Sequence, residues 1–274
     1  MQNVVDRKSK AIVRDGQWGH AYQLGSGETQ RHDLSETRLW LTLLDREWQI
    51  RTEKLPRSEE RSRWTESLSL TLPGSGASLQ RFIRPDESGT VTFLPALAGL
   101  PTVIRPYEPL TIPPQGECTI YVGTLVWMRV CVGSQLHELA ELPLAAQNMT
   151  WVGSNTMEGD VCYSAPTHAR LMLEAVPKRP WRAISPVLVR NHRKVPLLLE
   201  RFSLPTPLLG IYRNTQGQLW TSLTTVTCET GMNAARLKVD STVPVAAGEA
   251  ELLSAPREKA ERGGLIRTVD RMFG

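Results

Sequence analysis

The sequence predicts a mainly β protein: an antiparallel β-sandwich, built either on one core or as two packed β regions, with a short C-terminal amphipathic helix. Three observations carry this prediction. Several segments alternate apolar and polar residues at period two, the pattern of half-buried strands. The 19 prolines and 20 glycines are spread along the 274 residues, so turns are frequent and long helices are disfavoured. Apolar residues at helical spacing stand out only near the C-terminus.

The first strands are indicated by alternating leucines. Leu39, Leu41 and Leu43 share one face of a predicted strand, and residues 45–47 can turn the chain into a second strand at Trp48. Leu68, Leu70 and Leu72 alternate with hydroxyl side chains in the same way. Residues 95–114 carry six prolines, which lack the amide donor of a central strand, so this stretch is interpreted as an edge strand or a connector.

Further strands are predicted after the prolines. A pair covers residues 118–122 and 125–132 with a turn at Gly123, and one hairpin turns at residues 191–194. A second hairpin turns at Asn214–Gly217, where amide and glycine suit a tight turn. We therefore expect an N-terminal β region over residues 1–100, a C-terminal β-sandwich over 101–247 and a helical tail over 248–274.

The predicted helix of the tail depends on four apolar residues. Leu265, Val269, Met272 and Phe273 fall at i, i+4, i+7 and i+8, which is an amphipathic stripe. Docking on the protein's own sheet is the ordinary fate of such a stripe. A partner-binding helix and a membrane-surface helix are the alternatives.

Composition excludes several classes of protein. The net charge is only +4, which demands no acidic partner, and we expect no nucleic acid to bind. No segment has the run of apolar residues that spans a bilayer, and residues 1–10 lack the apolar region of a secretory signal. We therefore expect a cytoplasmic protein whose four widely spaced cysteines are buried thiols.

The stretch from Trp151 to Tyr163 concentrates the residues that carry chemistry. We name five residues of this stretch as binding candidates: Trp151, Asn155, Glu158, Asp160 and Tyr163. Glu158 and Asp160 lie two residues apart and could serve as acid and base in a hydrolase or carbohydrate-active protein. A loop whose carboxylates bond its own amides is the more common arrangement.

Other chemistry in this sequence has weaker support. Cys162 could act as a nucleophile with His168 or His137, but its place in a strand favours a structural thiol. Cysteine and histidine spacing predicts no metal site, no phosphate-binding loop is present, and we expect no cofactor and no catalytic residue. Trp151 and Trp181 are the surface candidates for sugar stacking, although burial is the commoner fate of tryptophan.

Several blocks resemble an uncharacterised prokaryotic family known as domain of unknown function four-three-two. The likeness runs from about residue 90 to 230, and Val152 departs from it because the family favours phenylalanine after the tryptophan. The resemblance implies a prokaryotic, cytoplasmic, β-rich protein and supplies no activity, cofactor or site residues. The blocks are 93–101, 112–114, 150–153, 158–163, 186–191, 200–205 and 219–221.

These observations favour a soluble, non-catalytic β-sandwich interaction module. We expect an unknown protein partner to contact the Trp151–Tyr163 stretch or the terminal helix. A hydrolase using Glu158 and Asp160 is one alternative. A membrane-associated regulator is the other, and its membrane contact would depend on the C-terminal helix alone.

Overall fold

A computed structural model describes residues 12–69, 74, 76–153, 159–229, 235–259 and 265–269. The secondary structure in these ranges is almost entirely strand, which confirms the mainly β prediction. Its helices are three single 3₁₀ turns, Leu173–Ala175, Thr206–Leu208 and Val245–Ala247. Within the described ranges no helix is long enough to cross a membrane.

The described residues contain 24 strands. The first twelve are β1 (Arg14–Asp15), β2 (Ala21–Gln23), β3 (Thr29–Leu34), β4 (Thr37–Leu43), β5 (Glu47–Lys54), β6 (Thr65–Leu68), β7 (Ser78–Ile83), β8 (Thr90–Ala96), β9 (Thr102–Pro106), β10 (Leu110–Ile112), β11 (Glu117–Leu125) and β12 (Trp127–Val132). The others are β13 (His137–Pro143), β14 (Asn148–Gly153), β15 (Gly159–Arg170), β16 (Arg182–Asn191), β17 (Leu197–Leu199), β18 (Phe202–Leu204), β19 (Ile211–Asn214), β20 (Leu219–Thr221), β21 (Thr224–Cys228), β22 (Ala235–Val239), β23 (Ala250–Ser254) and β24 (Leu265–Val269).

The chain divides into two compact units. Unit 1 comprises Met1–Phe93 and Val130–Ala140, and unit 2 comprises Leu94–Arg129 and Glu141–Gly274. The chain passes from one unit to the other within β8, β12 and β13. The linear domain bounds expected from the sequence stay a prediction.

Unit 1 contains a six-stranded antiparallel sheet in the order β1-β6-β3-β4-β5-β7. The predicted hairpin at residues 45–47 is present, because Leu43 pairs with Trp48 across β4 and β5. Leu39, Leu41 and Leu43 are all buried, as their alternation predicted. Leu68 was expected on a half-buried face but is 53% exposed, and Leu70 and Leu72 lie outside the described residues.

A cluster of rings fills part of the core of unit 1. His32 on β3 stands edge-on to Phe93 with ring centroids 4.4 Å apart, and Trp64 contacts both rings. The indole Nε1 of Trp64 donates a hydrogen bond to His32 Nδ1 at 3.1 Å. His32 is only 1% exposed, so this imidazole is a neutral member of an aromatic core.

Unit 2 contains a twelve-stranded sheet in the order β18-β9-β15-β11-β16-β20-β19-β23, with β14, β21, β22 and β24 branching from it. The antiparallel expectation was too simple, since β9 runs parallel to β15 and β16 runs parallel to both β20 and β21. Parallel neighbours come from distant parts of the chain, and local alternation carries no information about them. The twelve-stranded sheet therefore contains both parallel and antiparallel pairs.

The proline-rich segment contributes β9 to this sheet, while β10 pairs with β17 in a separate two-stranded sheet. β9 pairs with β15 on one side and β18 on the other, so it is neither an edge strand nor a connector. Pro106 is compatible with this position because it is the last residue of β9. This arrangement places Arg105 and Tyr107 beside β15.

Two predicted local pairings are also corrected. Gly123 lies inside the continuous strand β11, whose nine residues all pair with β16, so no turn forms there. The strand after residues 191–194 does not return along β16, because β17 pairs with β10 instead. The turn at Asn214–Gly217 is confirmed, with Gly217 at φ +77° between the paired strands β19 and β20.

The predicted C-terminal helix is wrong over Leu265–Val269. These residues form β24, which pairs antiparallel with β22 through Ala235–Val269 and Lys238–Leu265. The segment is rich in β-branched residues, which favour strands, and the free edge of β22 offers partners for its backbone groups. Met272 and Phe273 lie outside the described residues.

Candidate functional site: the β14–β15 hairpin

The predicted signature stretch forms the hairpin of β14 and β15. Its register pairs Met149 with Tyr163 and Trp151 with Val161. Directly opposed residues of an antiparallel pair point to the same side of the sheet. These four side chains, Met149, Trp151, Val161 and Tyr163, therefore share one side, which we call the hairpin face.

The hairpin face is apolar and largely open to solvent. Met149 is 71% exposed, Trp151 44% and Val161 43%, while Tyr163 is half-buried. Trp127 extends this surface, with its ring centroid 6.2 Å from that of Tyr163. The indole nitrogen of Trp127 donates a hydrogen bond to Gln147 Oε1 at 3.2 Å, which fixes the ring. Neighbouring exposed apolar side chains of this kind mark interaction surfaces.

The opposite side of the hairpin belongs to the core of unit 2. Val152 and Cys162 are buried there against Val103 of β9. The backbone N–H of Tyr163 donates to the carbonyl of Pro101 at 2.8 Å, which attaches β15 to the start of β9. These contacts attach the buried side of the hairpin to β9, so its exposed face is held in a defined orientation.

Cys162 is a structural thiol rather than a nucleophile. It is 1% exposed, and burial raises the pKa of its thiol above the ordinary value. Its Sγ lies 3.9 Å from the hydroxyl of Ser203 and 3.7 Å from the carbonyl of Asp160. Because the thiolate is the reactive form, a raised pKa makes this cysteine less reactive than an exposed thiol. The expected burial of the thiol is confirmed.

The other predicted site residues have different positions. Trp151, Asp160 and Tyr163 lie on the hairpin, and the Asp160 side chain is exposed. Asn155 and Glu158 lie outside the described residues. Of the two tryptophans considered for sugar stacking, Trp181 is buried at 7% exposure and only Trp151 reaches the surface. No cluster of three metal-ligating side chains occurs among the described residues.

Sequence reasoning missed Met149 and Val161 as site residues because single apolar residues carry no chemical motif. It also missed the close contact between Gly159 and Trp151. A Cβ built on Gly159 would lie 2.3 Å from Cε2 of the Trp151 indole. The indole therefore rests on the backbone of the facing strand, and only glycine leaves room for it.

Gly159→Ala is expected to displace the Trp151 indole and to lower the free energy of unfolding of unit 2 by about 1 kcal/mol or more, through overpacking. The measurement is the indole N–H resonance of Trp151 in a heteronuclear NMR spectrum, together with thermal unfolding. Gly99→Ala is the control, since a Cβ there would meet no atom within 4 Å. An unchanged Trp151 resonance in Gly159→Ala would contradict the contact.

The fold and the hairpin define a mainly β protein whose edge hairpin presents an apolar face, with no assembled catalytic or metal centre among the residues that the structure describes. The chain belongs to the family described as protein of unknown function (DUF432), whose sequence model matches residues 18–273. This confirms the resemblance and extends it on both sides of residues 90–230. Comparisons with curated proteins and with solved structures found no match.

Proposed function

We propose that this protein is a non-catalytic interaction module of the β-sandwich class that binds an extended segment of a partner protein. The segment adds as a strand to the free edge of β14 and rests its apolar side chains on the hairpin face. The observation that carries the proposal is that β14 pairs with β15 alone among the described strands and carries the exposed side chains of Met149 and Trp151.

The edge of β14 supports this mode of binding. Among the described strands, β14 pairs with β15 alone. An edge strand exposes backbone donors and acceptors, and proteins ordinarily protect such edges with lysine, other charges or proline. The residues of β14, Asn148–Gly153, include none of these. An edge left open in this way suits addition of a strand from another chain.

The hairpin face supplies a basis for selectivity. In strand addition the backbone hydrogen bonds provide affinity, and alternate side chains of the guest strand provide specificity. Met149 and Trp151 lie two residues apart on one side of β14, so they match the period of a guest strand. We expect guest segments with apolar side chains at every second position, since these pack against Met149 and Trp151.

The two alternatives have less support. A carboxylate hydrolase requires Glu158, which lies outside the described residues, beside an Asp160 side chain that is exposed. A membrane-docking helix requires Leu265 and Val269 in helical geometry, and these residues lie in strand β24. Neither alternative is favoured by a specific observation.

The test is selection from a displayed library of random peptides on the intact protein. We expect enrichment of segments with alternating apolar residues, and we expect Met149→Lys to reduce their binding at least about tenfold, because a lysine places a charge on the apolar face. Met149 is mostly exposed, so the variant should fold normally.

The matched control is Val245→Lys, which changes a residue that is 97% exposed elsewhere in unit 2. This control should bind the selected peptides as the wild type does. Peptides without alternation, or equal binding by the Met149→Lys variant, would overturn the proposal.

A further inference from the structure

A second site of unit 2, independent of the hairpin face, lies where β18, β9 and β15 adjoin. An open cleft of about 510 Å³ is lined there by charged and aromatic side chains, including Arg105, Tyr107, His168, Glu200 and Arg201. We call this the basic cleft. Its volume is within the range of small-molecule sites.

Strand register places two of these side chains next to each other, and a third adjoins them. His168 of β15 pairs directly with Arg105 of β9. On the other side of β9, the antiparallel ladder with β18 begins at Phe202 opposite Ile104, and Arg201, the residue before β18, lines the same cleft as Arg105. Neighbouring strands are about 4.8 Å apart, so the side chains of Arg105 and His168 leave one face of the sheet side by side, and Arg201 adjoins them in the lining of the cleft.

Arg105 and Arg201 concentrate positive charge in the cleft. Two half-buried arginines of unit 2 are neutralised by ion pairs, Arg190 by Glu117 at 2.9 Å and Arg213 by Glu251. No ion pair neutralises Arg105, Arg201 or His168 within the described part of the chain, although Glu200 lines the same cleft.

An aromatic ring adjoins these side chains. Tyr107 follows β9 and is 64% exposed, and its backbone N–H donates to the carbonyl of Ala169 at 3.1 Å. The guanidinium carbon of Arg170 lies 4.1 Å from the Tyr107 ring centroid, and His168 stands edge-on to the same ring at 6.0 Å. The ring is therefore fixed in place by a cation on one face while much of it remains open.

We propose that the basic cleft binds a small phosphorylated molecule with a planar group. Arg105 and Arg201 hold the dianionic phosphate, and the planar group lies against Tyr107. Arginine suits this role because its fork of N–H donors matches phosphate oxygens. A dianion also matches two adjacent guanidinium groups better than a single carboxylate does.

The experiment is calorimetric titration of the full chain with phenyl phosphate, inorganic phosphate and benzoate. Phenyl phosphate is expected to bind most tightly, and its affinity should fall as salt is added. Arg105→Gln and Arg201→Gln should each weaken it about tenfold or more, as is typical when a charge-assisted hydrogen bond is lost. Arg190→Gln is the matched control and should leave the affinity unchanged.

A second measurement keeps the test independent of folding. Because Arg105 has no ion pair within the described part of the chain, Arg105→Gln should unfold at the same or a higher temperature than the wild type without ligand. Equal phenyl phosphate affinity in the wild type and the two cleft variants would overturn the proposal, as would the absence of binding at millimolar concentration.

Phosphatidic acid vesicles form a separate arm, with phosphatidylcholine vesicles as the blank, because a lipid headgroup carries the same phosphate monoester. Binding to phosphatidic acid vesicles without binding to phenyl phosphate would overturn the proposal that the ligand is a small soluble molecule. Met149 does not line the cleft, so Met149→Lys should lose peptide binding and still bind phenyl phosphate. A failure of the peptide proposal is therefore distinguishable from a failure of the phosphate proposal.

Discussion

Asn191→Ala is expected to lower the free energy of unfolding of unit 2 by about 3 kcal/mol or more, because it removes a fully buried amide that bonds four backbone groups. Asn191 at the end of β16 is 0% exposed. The two N–H groups of its Nδ2 are shared among the carbonyls of Ile112, Pro113 and Val195, each 3.0 Å from Nδ2, and its Oδ1 accepts from the backbone N–H of Arg193 at 3.0 Å.

Two further variants separate hydrogen bonding from packing. Asn191→Asp keeps the shape of the side chain but places carboxylate oxygens against three carbonyls, so we expect a loss at least as large as for alanine. Asn214→Ala removes a side chain whose Oδ1 also accepts turn amides, from Gln216 and Gln218, but it is only partly buried, so about 1 kcal/mol is expected. Urea unfolding measures all three. Wild-type stability of Asn191→Asp would contradict the assignment.

The Asn191 amide also has a bearing on the basic cleft. It joins the end of β16 to the residues that flank the β10–β17 pair, and the chain leaves β17 directly into Glu200 and Arg201. Weakening this junction should therefore reduce phosphate affinity in Asn191→Ala as well as stability. The hairpin face has no contact with the Asn191 amide, so peptide binding should persist while the protein remains folded.

The second large effect is a loss of stability in mild acid caused by His32. Burial lowers the pKa of His32 from 6.5 to about 3. The unfolded chain therefore binds a proton below pH 6.5 that the folded chain does not bind, so stability is fully present above pH 6.5 and is lost as the pH falls toward 3. The slope is about 1.4 kcal/mol per pH unit, so about 2 kcal/mol is lost by about pH 5.

The neighbouring carboxylate titrates in a different range. Burial by itself would raise the pKa of Asp33, but hydrogen bonds from Arg31 and Arg38 outweigh it and the net pKa is lowered. Its contribution to stability is lost only as the pH falls below 3.8, the value expected in the unfolded chain. The interval between 6.5 and about 4.5 therefore reports on His32.

Urea unfolding at a series of pH values tests this expectation. His32→Gln keeps a carbonyl acceptor for the Trp64 indole but does not titrate, so its stability should be nearly constant between pH 7 and about pH 5. His137→Gln, an exposed histidine of unit 1, should retain the wild-type dependence. Hydrogen exchange of β3 amides locates the effect. The same acid sensitivity in His32→Gln and the wild type would contradict it.

The sequence predicted those features whose cause is local. Leu39, Leu41 and Leu43 are buried because alternation in a strand puts them on one face, and residues 45–47 turn the chain between the strands they separate. The turn at Asn214 follows from the ability of an asparagine side chain to accept nearby amides. Burial of Cys162 follows from its position between Val161 and Tyr163 in an alternating strand.

Predictions from the local sequence pattern were wrong where pairing with a distant strand decided the secondary structure. The apolar spacing of Leu265 and Val269 fits a helix, but pairing with β22 gives these residues a strand conformation. The backbone N–H and C=O groups of a strand find hydrogen-bond partners only in a neighbouring strand, and the local sequence does not specify which strand that is. The same reason explains why residues 191–194 do not close a hairpin.

The family and the mainly β class were determined by the sequence alone, through alternation, turn residues and the blocks around Trp151 and Asp160. The tertiary structure alone decided which side chains meet: Met149 beside Trp151 and Val161 on an open edge, and Arg105 between Arg201 and His168. These groups are assembled by register between strands that are distant in the chain. Register depends on the burial and pairing of whole strands, and no single segment contains it.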